Sequence, residues 1–202
     1  MSVDEKHGIS MTSGLRTPLR MDPDILFIGE IRDEEAAAIA TRAACSGAFV
    51  FSSLHARDVA STITVLRELN IKPRSLASSL AGIINQRLVR RICTHCRKPK
   101  SLSEKHALMF SDFGLAVPEY AYESEGCDAC RGSGFFGRCG IFEVIHCDCA
   151  SELSEAIGAG ATEPELRRIM KEQRVISLGQ DALIKVQNGV TSLEEAFSVS
   201  WL

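Results

Sequence analysis

The 202-residue sequence has no apolar stretch that approaches the roughly 20 residues required by a membrane-spanning helix. Its first residues also lack the charged and apolar regions of a secretory signal peptide. We therefore expect a soluble, cytoplasmic protein. The net charge is −3, with both signs mixed along the chain, so no broad basic field marks nucleic acid as a direct partner.

A second absence is the phosphate-binding loop Gly-x-x-x-x-Gly-Lys-Ser/Thr. Such a loop wraps backbone N–H groups around the phosphates of a nucleotide and places a lysine on them. A glycine-rich stretch does occur at Gly132–Gly137, but no lysine and no following helix accompany it. We expect no complete site of this class within the chain.

The segment that precedes Glu30 has a residue order that suggests a site. Ile25–Ile28 is a short apolar run, and we expect a strand that is buried on both faces and ends at Gly29 and Glu30. Acidic residues at the carboxyl end of such a strand face the ligand crevice of an α/β sheet. In nucleotide hydrolases, a carboxylate at this position holds Mg²⁺ or orients the attacking water.

The residues after Glu30 predict a βαβ unit. Asp33 can cap a helix that runs through an alanine-rich stretch to Ser46 and Gly47, and a second apolar run follows at Ala48–Phe51. A right-handed crossover makes the two strands parallel, so both end at the same edge of the sheet. The polar residues expected at that edge are Glu30, Arg32 and His55.

Further helices are predicted on both sides of this unit. The first spans Ser13–Met21, with Arg16 and Arg20 on one face. After His55, Asp58 can cap a helix that closes near Asn70, and the apolar spacing predicts another helix from about Arg74 to Ile92. Towards the end of the chain, the spacing predicts a strand at Gly140–Ile145 and, from Ser151 onward, helices. Two of these helices begin with capping signals, at Thr162–Glu165 and Thr191–Glu194, and another spans Ser177–Asn188.

The cysteines predict a metal site. Four of the eight fall in two C-x-x-C pairs, Cys93/Cys96 and Cys127/Cys130. Zn²⁺ prefers four soft ligands in a tetrahedron, and each pair can offer two thiolates from one tight turn. Reduced, unliganded cysteines and a redox pair are the alternatives. We interpret Cys139, Cys147 and Cys149 as ordinary reduced residues and Cys45 as a small core residue.

Several of these segments resemble one family, the secretion ATPases that drive type II secretion and type IV pilus assembly. Ile25–Asp33 is similar to the Walker B segment of that family and Ser52–His55 to its His box. Asn85–Arg91 resembles the Gln-Arg-Leu segment, and Cys130–Arg138 resembles the sequence that follows the second cysteine pair. Many assembly ATPases of this group also carry a tetracysteine metal insertion.

The resemblance implies an α/β fold: a partial RecA-like P-loop ATPase core with a tetracysteine zinc insertion and a C-terminal helical region. It implies that Glu30 is the catalytic glutamate and His55 a γ-phosphate sensor. The metal ligands would be the two cysteine pairs, and the cofactors ATP, Mg²⁺ and Zn²⁺. Candidate nucleotide contacts are Arg16, Arg20, Arg32, Gln86 and Arg87.

The resemblance further implies three regions: core residues 1–92, a zinc-binding insertion with its following strand at 93–150, and a helical region at 151–202. The family forms hexameric rings at the cytoplasmic face of the inner membrane and acts on a platform protein there. Because its phosphate loop precedes these motifs, we expect the C-terminal part of a motor that does not hydrolyse ATP alone. The alternative is a noncatalytic zinc-containing interaction module from a truncated or degenerate motor.

Overall fold

The computed structural model describes residues 23–148 and 150–200, with Ser200 described by its backbone alone. The predicted helix Ser13–Met21, with Arg16 and Arg20, therefore lies outside the described residues, as does Cys149. Contacts divide the described residues into two units. The first contains residues 23–83 and 145–174, and the second contains residues 84–144 and 175–200.

The helices and strands of the described residues follow one another in a mixed order. The strands are β1 (Ile25–Ile28), β2 (Phe49–Ser52), β3 (Gly82–Ile92), β4 (Arg97–Ser101), β5 (Tyr120–Ser124) and β6 (Phe135–His146). The helices are α1 (Glu34–Cys45), α2 (Val59–Glu68), α3 (Pro73–Ser79), α4 (Glu104–Asp112), α5 (Glu152–Ala159), α6 (Glu163–Glu172), α7 (Leu178–Gln187) and α8 (Leu193–Ser200). Within this part of the chain, none of the helices has the length and apolar character needed to cross a bilayer.

The predicted βαβ unit is present in the first unit. β1 and β2 pair in parallel, from Ile25 opposite Phe49 to Ile28 opposite Ser52. Asp33 caps α1, because its carboxylate accepts a hydrogen bond from the N–H of Ala36 at 2.8 Å. The structure thus confirms the predicted order of strand, helix and strand.

The prediction that β1 is buried on both faces is wrong. Leu26 and Ile28 pack against Ile39 and its neighbours on α1, whereas the side chains on the other face stay open. Ile25 is 65% and Phe27 74% exposed. The reason is that β1 and β2 form a two-stranded sheet that α1 covers on one side, so burial alternates along the strand.

The predicted helix from Arg74 to Ile92 is also wrong. Only α3 is helical, and β3 begins at Gly82. Burial along β3 alternates at the two-residue period of a strand for most of its length, and β3 pairs with β6, more than forty residues further along the chain. The apolar residues happen to match helical spacing as well, and the pairing with β6 decides between the two structures.

The remaining helices of the first unit begin where the sequence predicts. Asp58 and Ser61 form a capping box at the start of α2, and Thr162 and Glu165 form one at the start of α6. Cys45 differs from its prediction, since it is exposed at the end of α1 rather than part of the core.

The second unit contains the strand pair β4–β5, the helix α4 that lies between these strands in the sequence, most of β3 and β6, and the helices α7 and α8. β4 and β5 pair antiparallel, and Ser103 caps α4 as the chain leaves β4. Ser177 caps α7, and at α8 the cap is Ser192, whose hydroxyl accepts from the N–H of Glu195. The core of this unit is Val89, Phe110, Ala121, Ile141, Leu178, Ala182, Leu183, Val186, Leu193 and Ala196.

Candidate active site and metal centre

The carboxyl ends of β1 and β2 are held together beyond the last strand pair. The N–H of Ile31 donates to the carbonyl of Ser53 at 2.9 Å. The hydroxyl of Ser53 donates in return to the carbonyl of Gly29 at 2.6 Å. These two bonds fix the chain on either side of Glu30 against the segment that leads to His55.

Three polar side chains meet at this edge of the sheet. Nε2 of His55 lies 3.1 Å from one carboxylate oxygen of Glu30, and Nε of Arg32 donates to the other at 2.7 Å. The predicted convergence of Glu30, Arg32 and His55 is therefore confirmed. The Glu30 side chain retains 20% of its exposure, whereas that of His55 is 95% exposed.

The charge state of Glu30 follows from its neighbours. The hydrogen bond from Arg32 is the main reason that the pKa of the Glu30 carboxyl is below its ordinary value, and desolvation opposes this only in part. Glu30 is consequently ionised at neutral pH. An accessible carboxylate beside an imidazole can accept a proton from water or bind a hydrated cation.

Two candidate nucleotide contacts lie in the second unit, on β3. Gln86 is exposed, and Arg87 is half-buried. The guanidinium of Arg87 donates to the carbonyl of Val199 at the end of α8, at 3.0 Å. Arg87 therefore has a bonding partner within its own unit, which the sequence did not indicate.

The two cysteine pairs form a single cluster in the second unit. The four sulfur atoms lie within 4.8 Å of one another. Sulfur atoms are 3.9 Å apart between Cys93 and Cys127, 3.9 Å between Cys96 and Cys130, and 3.7 Å between Cys127 and Cys130. These distances are far longer than the roughly 2.05 Å of a disulfide bond.

The sulfur spacing fits a metal ion with four thiolate ligands. A tetrahedron with Zn–S bonds of about 2.3 Å places its sulfur atoms about 3.8 Å apart. Burial raises the pKa of the Cys130 thiol, but backbone N–H groups of Cys127 and Gly134 outweigh it and lower that pKa to about 6. Burial and hydrogen bonds with the neighbouring thiols raise the pKa of the Cys96 thiol to about 12, so within the cluster Cys130 forms the thiolate more readily than Cys96.

The sequence did not predict a partly buried ion pair in the second unit. Glu195 on α8 accepts from the backbone N–H, Nε and Nη2 of Arg90 on β3, at 2.8, 2.8 and 2.6 Å. The Arg90 guanidinium also stacks on the ring of Phe135, 4.1 Å from its centroid. The two charged residues are 105 positions apart, and no local pattern connects them.

Residues 1–198 match the family described as type II/IV secretion system protein. The type IV pilus assembly ATPase PilB of Thermus thermophilus is 37% identical over 203 residues, which is 97% of this chain and 22% of that protein. The type II secretion system protein E of Dickeya dadantii is 38% identical over 198 residues, which is 98% of this chain and 39% of that protein. The chain thus spans between about a fifth and two-fifths of these relatives.

Two solved structures share the fold. The pilus retraction motor PilT with bound ADP superposes with a TM-score of 0.63 at 23% identity, over 95% of this chain and 43% of that chain. The ATPase DotB of Yersinia pseudotuberculosis gives a TM-score of 0.66 at 17% identity, over 96% of this chain and 41% of that chain. The α/β fold is therefore one that such ATPases adopt.

Proposed function

The chain belongs to the type II/IV secretion system protein family, and from this premise we propose that it is part of a motor ATPase that couples ATP hydrolysis to protein secretion or pilus assembly. Residues 1–92 would belong to a RecA-like P-loop core, residues 93–150 to a zinc-binding insertion with its following strand, and residues 151–202 to a helical region. The ring would be a homo-hexamer in the cytoplasm, against an inner-membrane platform protein.

The single observation that carries this proposal is the meeting of Glu30 and His55 at 3.1 Å. Parallel strands end at this edge, where ligands of α/β sheets bind. Glu30 is ionised there and partly exposed, so it can polarise a water molecule for attack on a phosphorus atom. His55, almost fully exposed beside it, would contact the γ-phosphate of ATP.

We propose that Arg32 exchanges partners when nucleotide binds. Without nucleotide, its guanidinium pairs with the Glu30 carboxylate. When nucleotide arrives, the same guanidinium can donate to phosphate oxygens instead, because guanidinium groups bind phosphate and carboxylate with the same fork of N–H donors. Mg²⁺ would be held near Glu30. Further nucleotide contacts proposed from the family resemblance are Arg16, Arg20, Gln86 and Arg87.

The cysteine cluster would hold one Zn²⁺ in a structural role. The four cysteine sulfur atoms would take all four ligand positions and leave none for a reacting water, which is typical of structural rather than catalytic zinc. Such a site can contribute on the order of 10 kcal/mol to folding. The ion would therefore stabilise the segment between the two cysteine pairs.

The motor proposal is tested by reconstitution. We expect negligible ATP turnover from this chain alone, and turnover when it is mixed with a fragment of the motor that supplies the phosphate-binding loop. Turnover in the mixture should disappear when the chain carries Glu30→Gln. If the mixture stays inactive although the two parts associate, the chain is instead a noncatalytic zinc-containing interaction module.

The zinc proposal is tested separately by elemental analysis. We expect one equivalent of zinc for each purified chain. The double variant Cys93→Ser/Cys127→Ser should contain none, whereas Cys139→Ser, which changes a cysteine outside the cluster, should retain one. The assignment would be contradicted if the wild-type chain, purified in the presence of zinc, contained no metal.

A further inference from the structure

Gly134 makes two hydrogen bonds with the cysteine cluster and one with Ser124. Its N–H donates to the sulfur of Cys130 at 3.2 Å. Its carbonyl accepts from the N–H of Cys93 at 2.9 Å and from the hydroxyl of Ser124 at 2.8 Å. One residue thus connects both cysteine pairs and the end of β5.

At residue 134, any side chain larger than that of glycine would require the neighbouring atoms to move. Gly134 has a φ of +74°, in the left-handed region that side chains disfavour. A Cβ atom there would lie 2.3 Å from the hydroxyl oxygen of Ser124 and 3.2 Å from its Cβ. Pairing with Arg97 on β4 holds the Ser124 backbone in place. The contact can be relieved if the Ser124 hydroxyl rotates away, but this rotation breaks its hydrogen bond to the Gly134 carbonyl.

We propose that Gly134 is a positioning residue for the metal centre, which brings the two cysteine pairs to a common point before the ion binds. Its N–H orients the Cys130 sulfur, and its carbonyl fixes the backbone of Cys93. Groups that orient metal ligands in this way reduce the ordering that binding requires and raise affinity. This inference rests on the zinc assignment proposed above.

The test compares two glycines with the same backbone conformation. Gly137 also has a φ of +74°, but a Cβ atom there would meet nothing within 4 Å. Both Gly134→Ala and Gly137→Ala therefore introduce left-handed strain, and only the first disturbs the cluster. In the 202-residue chain, titrated with zinc against a chromogenic chelator, we expect Gly134→Ala to weaken affinity by about tenfold to a hundredfold. Gly137→Ala should stay close to the wild type.

A spectroscopic measurement distinguishes positioning from general stability. Cobalt bound by thiolates gives a sulfur-to-metal charge-transfer band, whose energy depends on the hydrogen bonds to the sulfur atoms. We expect this band to shift in Gly134→Ala, which alters the N–H bond to Cys130, and not in Gly137→Ala. Circular dichroism of the same samples shows whether each variant is folded.

If Gly134→Ala does not fold, the milder variant Ser124→Ala tests the role of Gly134. Ser124→Ala adds no atom and removes only the hydroxyl that donates to the Gly134 carbonyl, so we expect zinc affinity to fall about threefold to tenfold. The proposed role of Gly134 would be overturned if Ser124→Ala, and Gly134→Ala where it folds, bind zinc with wild-type affinity. That result would leave the assignment of the zinc site intact. A wild-type chain that binds neither zinc nor cobalt would instead refute the metal assignment itself.

Discussion

Arg90→Ala should destabilise the chain much more than the loss of an ordinary surface charge. Removing one partner of a buried ion pair costs about 3–5 kcal/mol. The Glu195 side chain is only 6% exposed, but that of Arg90 is 55% exposed, and the backbone N–H of residue 90 still binds Glu195 in the variant. These two features reduce the expected loss to about 2 kcal/mol.

The assay is thermal unfolding with Lys98→Ala as the matched control. For a chain of this length, a loss of about 2 kcal/mol lowers Tm by roughly 4–8 °C. Lys98 pairs with Glu125, and both side chains are largely exposed, so its loss should cost less than about 0.5 kcal/mol. Equal effects of the two substitutions would refute the reasoning from burial.

The same pair predicts a pH dependence. Burial raises the pKa of the Glu195 carboxyl, but hydrogen bonds from Arg90 outweigh it and leave that pKa below its ordinary value. The ionised pair therefore stabilises the folded state above the unfolded-state pKa of glutamate, about 4.3. This contribution is lost as the pH falls through the lower folded-state pKa. The difference in Tm between wild type and Arg90→Ala should therefore be largest near pH 7 and become smaller at acidic pH.

Three further substitutions or treatments have defined outcomes. Gly82→Ala should destabilise the chain, because a Cβ atom there would lie 2.8 Å from the backbone carbonyl oxygen of Ile145. If residue 82 were within a helix, the same substitution would instead raise the free energy of unfolding by about 1 kcal/mol, and that result would contradict the assignment of β3 as a strand. Asp58→Ala should cost about 1–2 kcal/mol in urea unfolding, since it removes the α2 cap and the ion pair with Arg167; an unchanged midpoint would contradict this. Removal of zinc by a chelator should lower Tm, and restoring zinc should recover it; a Tm that does not respond would contradict a structural role for the ion.

The βαβ unit and the meeting of Glu30 with His55 were predictable because local signals specify them. Asp33 and Gly47 mark the ends of the connecting helix, and parallel strands must end at the same edge. The four cysteines were predictable for a similar reason, since each C-x-x-C turn is local and the preference of zinc for four thiolates supplies the link between them.

The features that sequence reasoning missed depend on contacts between distant residues. The segment Gly82–Ile92 has apolar positions that suit a helix and a strand alike, and its pairing with β6 determines the outcome. The open face of β1 depends on what covers the sheet, which the strand's own residues do not reveal. The bond from the N–H of Cys93 to the Gly134 carbonyl joins residues about forty positions apart, and the only signal of it in the sequence was a glycine-rich turn.

The measurement that tests the central claim most directly is ATP hydrolysis and ATP binding by the Glu30→Gln variant, within a motor that contains this chain and a phosphate-binding loop. Glutamine keeps the shape of Glu30 but cannot accept a proton from water. We expect hydrolysis to fall by at least about a hundredfold while ATP affinity stays near the wild-type value. Hydrolysis at the wild-type rate in this variant would contradict it.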